Sequence, residues 1–281
     1  MPFEFWKYHG LGNDFILVDS KYVEPHYRAT EKVIAICDRN RGIGADGILW
    51  LEPSEKADFR MIITNSDGSR PEMCGNGLRC FARFLHDQGY TAELSFSVET
   101  DRGVLQCELE RDDNGAITHA RVEMGAPMLN RADLPMQGEG TCIEQSFEVA
   151  GESLTITGVS MGNPHAILFD VPKDKQASLG PLLESHELFP QRTNVEFVDV
   201  VDSTHLNVDV FERGCGWTQA CGTGACATVV AAIKTERIPH EGEVFVKLPG
   251  GTLGITVLSD FSNIFMSGPA VPVFCGTWTD I

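Results

Sequence analysis

The segments PEMCGNGLRC (Pro71–Cys80) and TQACGTGACA (Thr218–Ala227) place Cys-Gly-x-Gly at the head of a predicted helix twice, with Cys74 and Cys221 147 residues apart in a chain of 281. The repeat extends outward from the cysteines. LGND puts Gly12-Asn13 in the first half and MGNP puts Gly162-Asn163 in the second, 150 residues on. Asn65 lies nine residues before Cys74, and Glu212 lies nine before Cys221. Loop, strand and cysteine-headed helix therefore recur in one order at nearly one offset, which predicts two copies of one folding unit. A chain of this length accommodates two domains of ordinary size. The expected division is 1–118 and 119–267, with a strand at about 268–281 returning to complete the first half. The polar stretch RDDNGAITH (Arg111–His119) reads as the crossing between halves.

Strand-like runs dominate both halves. The alternation in RMIIT and LNVDVF is the period of a half-buried strand, and TDRGVL and PGGTLG read as hairpin turns. Helices are few. One is predicted over Thr30–Arg39 with Thr30 as N-cap, and one over Asn76–Gln88, closed by Gly89. A third is predicted over roughly Gly180–Glu187. The fourth, Thr223–Lys234, contains GACATVVAAI and has no polar face, so it must be buried on every side. These features predict an α/β fold in which a mixed sheet wraps around a central helix.

Charge and composition narrow the partners. There are 22 basic and 40 acidic residues, a formal net charge of -18, which argues against nucleic acid or an anionic membrane surface. The start MPFEFWKYHG shows no secretory signal, and no apolar run approaches the length of a membrane span, so a cytoplasmic location is expected. Nine cysteines, odd in number and scattered, do not form a disulfide framework, and most are expected to pack as small apolar residues. Gaps of six and five among Cys215, Cys221 and Cys226 do not fit zinc-ribbon spacing, so no metal site is expected. A homodimer is left open, because no apolar surface stripe stands out.

The corners themselves carry chemistry. A cysteine just ahead of a helix has its sulfur near the unpaired N–H groups of the first turn, where the partial positive charge favours thiolate. The glycines let backbone N–H groups approach an anion, so the same corner suits a carboxylate. Two such thiols suggest proton traffic at a stereocentre. A thiolate removes a proton from one face, a thiol delivers one to the other, and donors at each corner stabilise the enolate-like intermediate. This scheme calls for no cofactor, and no lysine lies within either corner.

The motifs HGLGNDF (His9–Phe15), NSDGS (Asn65–Ser69), EMCGNGLRC (Glu72–Cys80), SMGNPH (Ser160–His165) and ERGCGWTQACGTGAC (Glu212–Cys226) together resemble diaminopimelate epimerase, in that family's order and almost end to end. The resemblance implies two pseudo-symmetric α/β domains with the site in the cleft between them. It implies cofactor-free interconversion of LL- and meso-diaminopimelate, on the way to lysine and peptidoglycan. Cys74 and Cys221 match the catalytic pair, and His165 and Glu212 match the polar groups that assist the thiols. Asn13, Gly75, Asn76, Gly222 and Thr223 match the groups around the reacting amino-acid end. Asn65, Asn163, Asn194 and Arg213 match those at the distal end, with Glu212 counted also among the substrate contacts. Two residues depart from some members: Gly47 stands in place of a glutamine, and Trp217 in place of a glutamate.

The nearest alternative is a racemase or epimerase of the same fold acting on proline, hydroxyproline or histidine. Proline-type relatives typically read Met-Cys-Gly-His-Gly at the first corner, where this chain has Asn76. A thiol redox or metal-binding protein built on Cys215, Cys221 and Cys226 would leave the repeat unexplained. A non-catalytic binding module would make both corner cysteines dispensable.

Overall fold

The computed structural model describes residues 2–71 and 73–279. In chain order, the first part holds β1 (Phe3–Gly10), β2 (Asn13–Asp19), α1 (Thr30–Cys37), β3 (Gly47–Glu52), β4 (Phe59–Asn65), α2 (Gly75–Asp87), β5 (Ser95–Thr100), β6 (Gly103–Arg111) and β7 (Ile117–Gly125). Then come β8 (Gln145–Val149), β9 (Glu152–Ser160), β10 (Pro164–Phe169), α3 (Lys173–Glu184), β11 (Asn194–Val200), β12 (His205–Glu212), β13 (Gly216–Trp217), α4 (Gly222–Lys234), β14 (Glu243–Leu248) and β15 (Gly251–Val257). The chain ends with β16 (Ile264–Gly268) and β17 (Val271–Trp278). This is a mixed α/β fold rich in strands and poor in helices. It divides into two compact units, Met1–Glu123 with Ser267–Ile281, and Met124–Met266.

In the first unit the sheet order is β17-β1-β2-β3-β4-β5-β6-β7. The pairs β2–β3 and β4–β5 are parallel and the rest antiparallel. Each parallel pair needs a crossover, and α1 and α2 supply them. α2 lies against β1, β2, β4, β6 and β17, so the sheet wraps it. α1 covers the outer face, where Val33 and Ile36 join Ile16, Val18, Ile48 and Trp50 in one cluster. Strands β2 and β3 are thus covered on both faces, which is why ILV and ILWL run apolar without alternation. β6 has one wet face and alternates.

The second unit repeats this plan with β8-β9-β10-β11-β12-β14-β15. Here β10–β11 and β12–β14 are the parallel pairs, crossed by α3 and α4. α4 lies against β9, β10, β11, β14 and β15, and its residues Ala225–Ala232 are all buried. A helix of alanine, valine and cysteine fits there because it presents a narrow apolar surface in every direction.

Several expectations need correction. Thr30 is the first residue of α1, not its cap; Ala29 takes the N-cap position and offers no side-chain bond. The third helix spans Lys173–Glu184, beginning well before Gly180, with Pro181 inside it. The stretch Arg111–His119 is the turn of the β6–β7 hairpin, closed by the Asp112 N–H donating to Ala116 O at 2.9 Å. The Gly89 stop is present: Gly89 has φ +73, its N–H donates to His86 O at 3.1 Å, and the Tyr90 N–H reaches back to Leu85 O at 2.9 Å.

Candidate active site

Each corner is built by a β-turn, a strand end and the first turn of the central helix. In the first unit, Leu11-Gly12 turns the chain from β1 into β2, with φ +56 and +85, and delivers Asn13 to the mouth of the sheet. Cys74 caps α2 from an extended backbone, and its Sγ accepts from the Gly77 N–H at 3.5 Å. Asn13 Oδ1 takes the Asn76 Nδ2 donor at 3.2 Å and lies 3.8 Å from Cys74 Sγ. Asn13 is held in turn by Asp46, which accepts from its Nδ2 at 2.7 Å, and Arg79 donates to Asn76 Oδ1 at 3.0 Å. Below this lies an ion cluster in which Lys7 and Arg39 meet Asp14 and Arg39 also meets Asp46. Burial works against the Asp14 carboxylate, but bonds from Arg39 and Lys7 outweigh it and hold Asp14 below the usual range.

The second unit reproduces the corner with different side chains. Gly162, at φ +94, makes the turn into β10 and presents Asn163 as Gly12 presents Asn13. Cys221 caps α4, and its Sγ accepts from the Gly224 N–H at 3.3 Å. Thr223 Oγ1 lies 3.5 Å from that sulfur, and Asn163 Nδ2 donates to the same hydroxyl at 3.3 Å. Asn13–Asn76–Cys74 and Asn163–Thr223–Cys221 are therefore the same constellation, with position two past the cysteine bonded to the turn asparagine. Beyond Asn163 the second corner continues: His165 Nε2 is 3.1 Å from Asn163 Oδ1, and His165 Nδ1 is 2.7 Å from Glu196 Oε1. His165 and Glu196 are completely buried.

The remaining candidates fall in place along the strand ends. Glu212 ends β12 and accepts from the Thr218 hydroxyl. Asn194 begins β11; its Nδ2 donates to Pro164 O at 2.8 Å and its Oδ1 accepts from the Arg213 N–H at 3.0 Å. The Arg213 side chain is exposed and, among the described residues, donates to Gln191 O at 3.4 Å. Asn65 ends β4 and donates to Ser69 Oγ at 2.9 Å. Gly75 and Gly222 are the buried first residues of their helices. At Gly47, a Cβ would stand 2.7 Å from Thr64 O, so a larger residue there requires the backbone to shift. Trp217 packs edge-on against Phe211, ring centroids 5.4 Å apart.

At Cys221 the pull of the helix N-terminus towards thiolate is outweighed by the surroundings. Burial pushes this thiol well above its usual value, and the negative charges of Glu212 and Glu196 push the same way. The bonds from Thr223 and the Gly224 N–H act in the opposite direction. Burial raises the thiols of Cys37 and Cys80 to about 12. No cysteine among the described residues is in a disulfide. One set of metal-ligand type exists among the described residues, His165, Glu196 and Cys221, with donor atoms within 4.8 Å of one another. Both ring nitrogens of His165 are already hydrogen-bonded, so the set reads as a polar network. Among the described residues no helix is long and apolar enough to cross a membrane.

Glu196 is the residue that sequence reasoning missed. In NVEFVDV it stands between Val195 and Phe197 and belongs to no motif, whereas β11 is covered on both faces and buries it.

The family described as Diaminopimelate epimerase matches residues 5–129 and 157–273. The chain belongs to the diaminopimelate epimerase family. A diaminopimelate epimerase of Heliobacterium modesticaldum is 46% identical over 280 residues, 97% of this chain and 98% of that protein. One from Synechococcus elongatus is 46% identical over 283 residues, 99% of this chain and 98% of its own. Among solved structures, a Bacillus anthracis phenazine biosynthesis protein of the PhzF family superposes with TM-score 0.72 at 19% identity, each chain covered completely. A hydroxyproline epimerase from Agrobacterium vitis gives 0.68 at 14%, covering 99% of this chain and 91% of that one. At such identities these two structures establish the fold alone. The diaminopimelate epimerase relatives span the repeat and both cysteine corners.

Proposed function

We propose that the chain is an epimerase interconverting LL- and meso-diaminopimelate by a two-base mechanism that uses no cofactor. The observation that carries it is the paired corner: Cys74 and Cys221 each cap a central helix, each with a turn asparagine bonded to the residue two positions on. Full-length relatives named diaminopimelate epimerase support the choice of substrate.

In this reading one cysteine, as thiolate, takes the α-proton, and the other, as thiol, delivers its own proton to the opposite face of the same carbon. Each turnover leaves the first as thiol and the second as thiolate, so the reverse direction uses the same pair with the roles exchanged. The intermediate is an α-carbanion conjugated with the substrate carboxylate. Backbone donors at Gly75, Asn76, Gly222 and Thr223 stabilise the charge that develops there. Asn13 orients Cys74 and Asn76. His165 and Glu212 set the electrostatics at Cys221. Asn65, Asn163, Asn194 and Arg213 hold the distal amino-acid end, Arg213 through a bidentate pair with the distal carboxylate.

The test is hydrogen–deuterium exchange at the α-carbon of LL-diaminopimelate in D2O, with proline run beside it. Exchange with inversion on diaminopimelate and none on proline is expected. Exchange on proline alone would make the chain a proline-type racemase, a reading that rests on fold likeness at 14% identity.

A further inference from the structure

The two corners share their plan but differ beneath it. The registers Phe15–Gly47 in β2–β3 and His165–Asn194 in β10–β11 place Phe15 opposite His165 in the comparison of units, and Leu49 opposite Glu196. The helix glycines agree. A Cβ on Gly77 would meet Leu49 Cδ2 at 3.3 Å, and one on Gly224 would meet Glu196 Oε1 at 2.6 Å. The first cysteine corner thus rests on a phenylalanine and a leucine, the second on a buried histidine–carboxylate pair.

We propose that Glu196 is a positioning residue for Cys221, holding His165 so that a chain of hydrogen-bond donors runs through Asn163 and Thr223 to the sulfur. Asn163 gives its amide hydrogens to Thr223, so its Oδ1 faces His165 Nε2 and takes a hydrogen from it. Nδ1 gives the other ring hydrogen to Glu196 Oε1. Both ring nitrogens then donate, as in an imidazolium, and a buried imidazolium requires a partner carboxylate. Glu196 is that carboxylate; its Oε2 is buried and has no hydrogen-bond partner among the described residues. Thr223 Oγ1 receives from Asn163 and turns its own hydrogen to Cys221 Sγ. The polarity runs the other way at Cys74, where the sulfur is the donor, to Asn13 Oδ1. The titratable groups facing Cys221 are Glu196 on β11, His165 on β10 and Glu212 on β12. The remaining charged residues of β9, β11, β14 and β15 are Glu152, Asp199, Glu243 and Lys247, none of them buried. With burial and two carboxylates opposing the thiolate, the Thr223 hydroxyl and the Gly224 N–H are what favour it.

This inference rests on Cys221 being one of the acting thiols, and its test needs no turnover. The measurement is the pH midpoint of alkylation by iodoacetamide, followed at Cys221 and at Cys74 by peptide mass spectrometry. Glu196→Gln keeps an acceptor for Nδ1 but no longer sustains the imidazolium. Nε2 loses its hydrogen, the Asn163 amide turns, and the Thr223 hydroxyl donates to it and leaves the sulfur. The Cys221 midpoint then rises by about one unit, the worth of one bond to a charged group, while Cys74 stays where it was. A bare-charge role for Glu196 predicts a fall, and a packing role predicts no change; either result overturns the proposal, as does a parallel shift of Cys74. Thr223→Val removes the last donor while leaving the pair intact. It raises the midpoint in the same direction, and Glu196→Gln added to it gives no further rise. An unmoved midpoint in Thr223→Val overturns the relay even if Glu196→Gln does not fold. A chain that proves to exchange proline in place of diaminopimelate would overturn the proposed substrate and leave these shifts in place.

Discussion

The Tyr8 hydroxyl donates to Asp87 Oδ2 at 2.9 Å, tying the first strand to the last turn of the helix that strand helps to enclose. Asp87 is also held by Arg83 Nε at 2.9 Å, so loss of the tyrosine bond leaves the carboxylate paired. Tyr8→Phe is expected to cost about 1 kcal/mol in urea unfolding at pH 7. The pH dependence is more specific. Burial, then the charge of Asp87, raises the Tyr8 hydroxyl above its ordinary range. A raised value means that the contribution is complete below the unfolded-state value of about 10 and is lost as pH climbs towards the folded-state one. The stability gap between wild type and Tyr8→Phe should therefore shrink above about pH 10, and a gap that widens there contradicts the assignment.

Alanine at either corner cysteine is expected to abolish net epimerisation. Loss of acid or base assistance is worth about 10²–10⁴-fold, and inversion needs both thiols. Near-wild-type turnover by Cys221→Ala, with circular dichroism showing a folded protein, would end the two-base reading.

Arg213 is anchored by its backbone N–H on Asn194, while its guanidinium is exposed and, among the described residues, makes one long bond, to Gln191 O. Such a head is available to a distal carboxylate. Arg213→Met should cut kcat/KM for diaminopimelate strongly, by up to about 10⁴-fold, and leave any trace activity on lysine unchanged. Equal losses on both substrates would assign Arg213 to the fold.

The second glycine of each corner should respond unequally to a methyl group. At Gly77 the added carbon meets Leu49 at 3.3 Å and Cys74 Cβ at 3.5 Å, contacts that a flexible leucine relieves. At Gly224 it meets Glu196 Oε1 at 2.6 Å and the Cys221 sulfur at 3.2 Å. Gly77→Ala should stay within about 1 kcal/mol of wild type, helped by alanine's helix preference. Gly224→Ala should lose about 1–3 kcal/mol by overpacking and most of its turnover. Thermal melts and initial rates of the two variants settle the order.

What the sequence made legible followed from periodicity and from the repeat. The strand β12 alternates in LNVDVF because it shows one wet side, whereas the alternation expected in RMIIT is absent from β4, where Met61, Ile62 and Ile63 are buried in succession; α4 announced itself through the absence of any polar face. The cysteine corners were visible because glycine spacing at a helix start is a local signal. The start of α3 was not, since KDKQAS offers almost no apolar stripe and Pro181 looks like a first-turn residue. β8, QSFEV, is mostly exposed and carries little pattern. Glu196 was hidden for a different reason: alternation marks a residue as facing away from its neighbours, and only the tertiary fold decides whether that direction is solvent or the buried end of a helix.

The pairing of β1 with β17 orders events during synthesis. Phe3 faces Trp278 and Glu4 faces Thr277, so β1 waits for a strand translated more than 250 residues after it. The continuous span Met124–Met266 can close around α4 while that strand is still inside the ribosome. Domains of a nascent chain ordinarily mature from the N-terminus onward; here the span translated later has its strands before β17 can complete the sheet of the unit that holds Cys74.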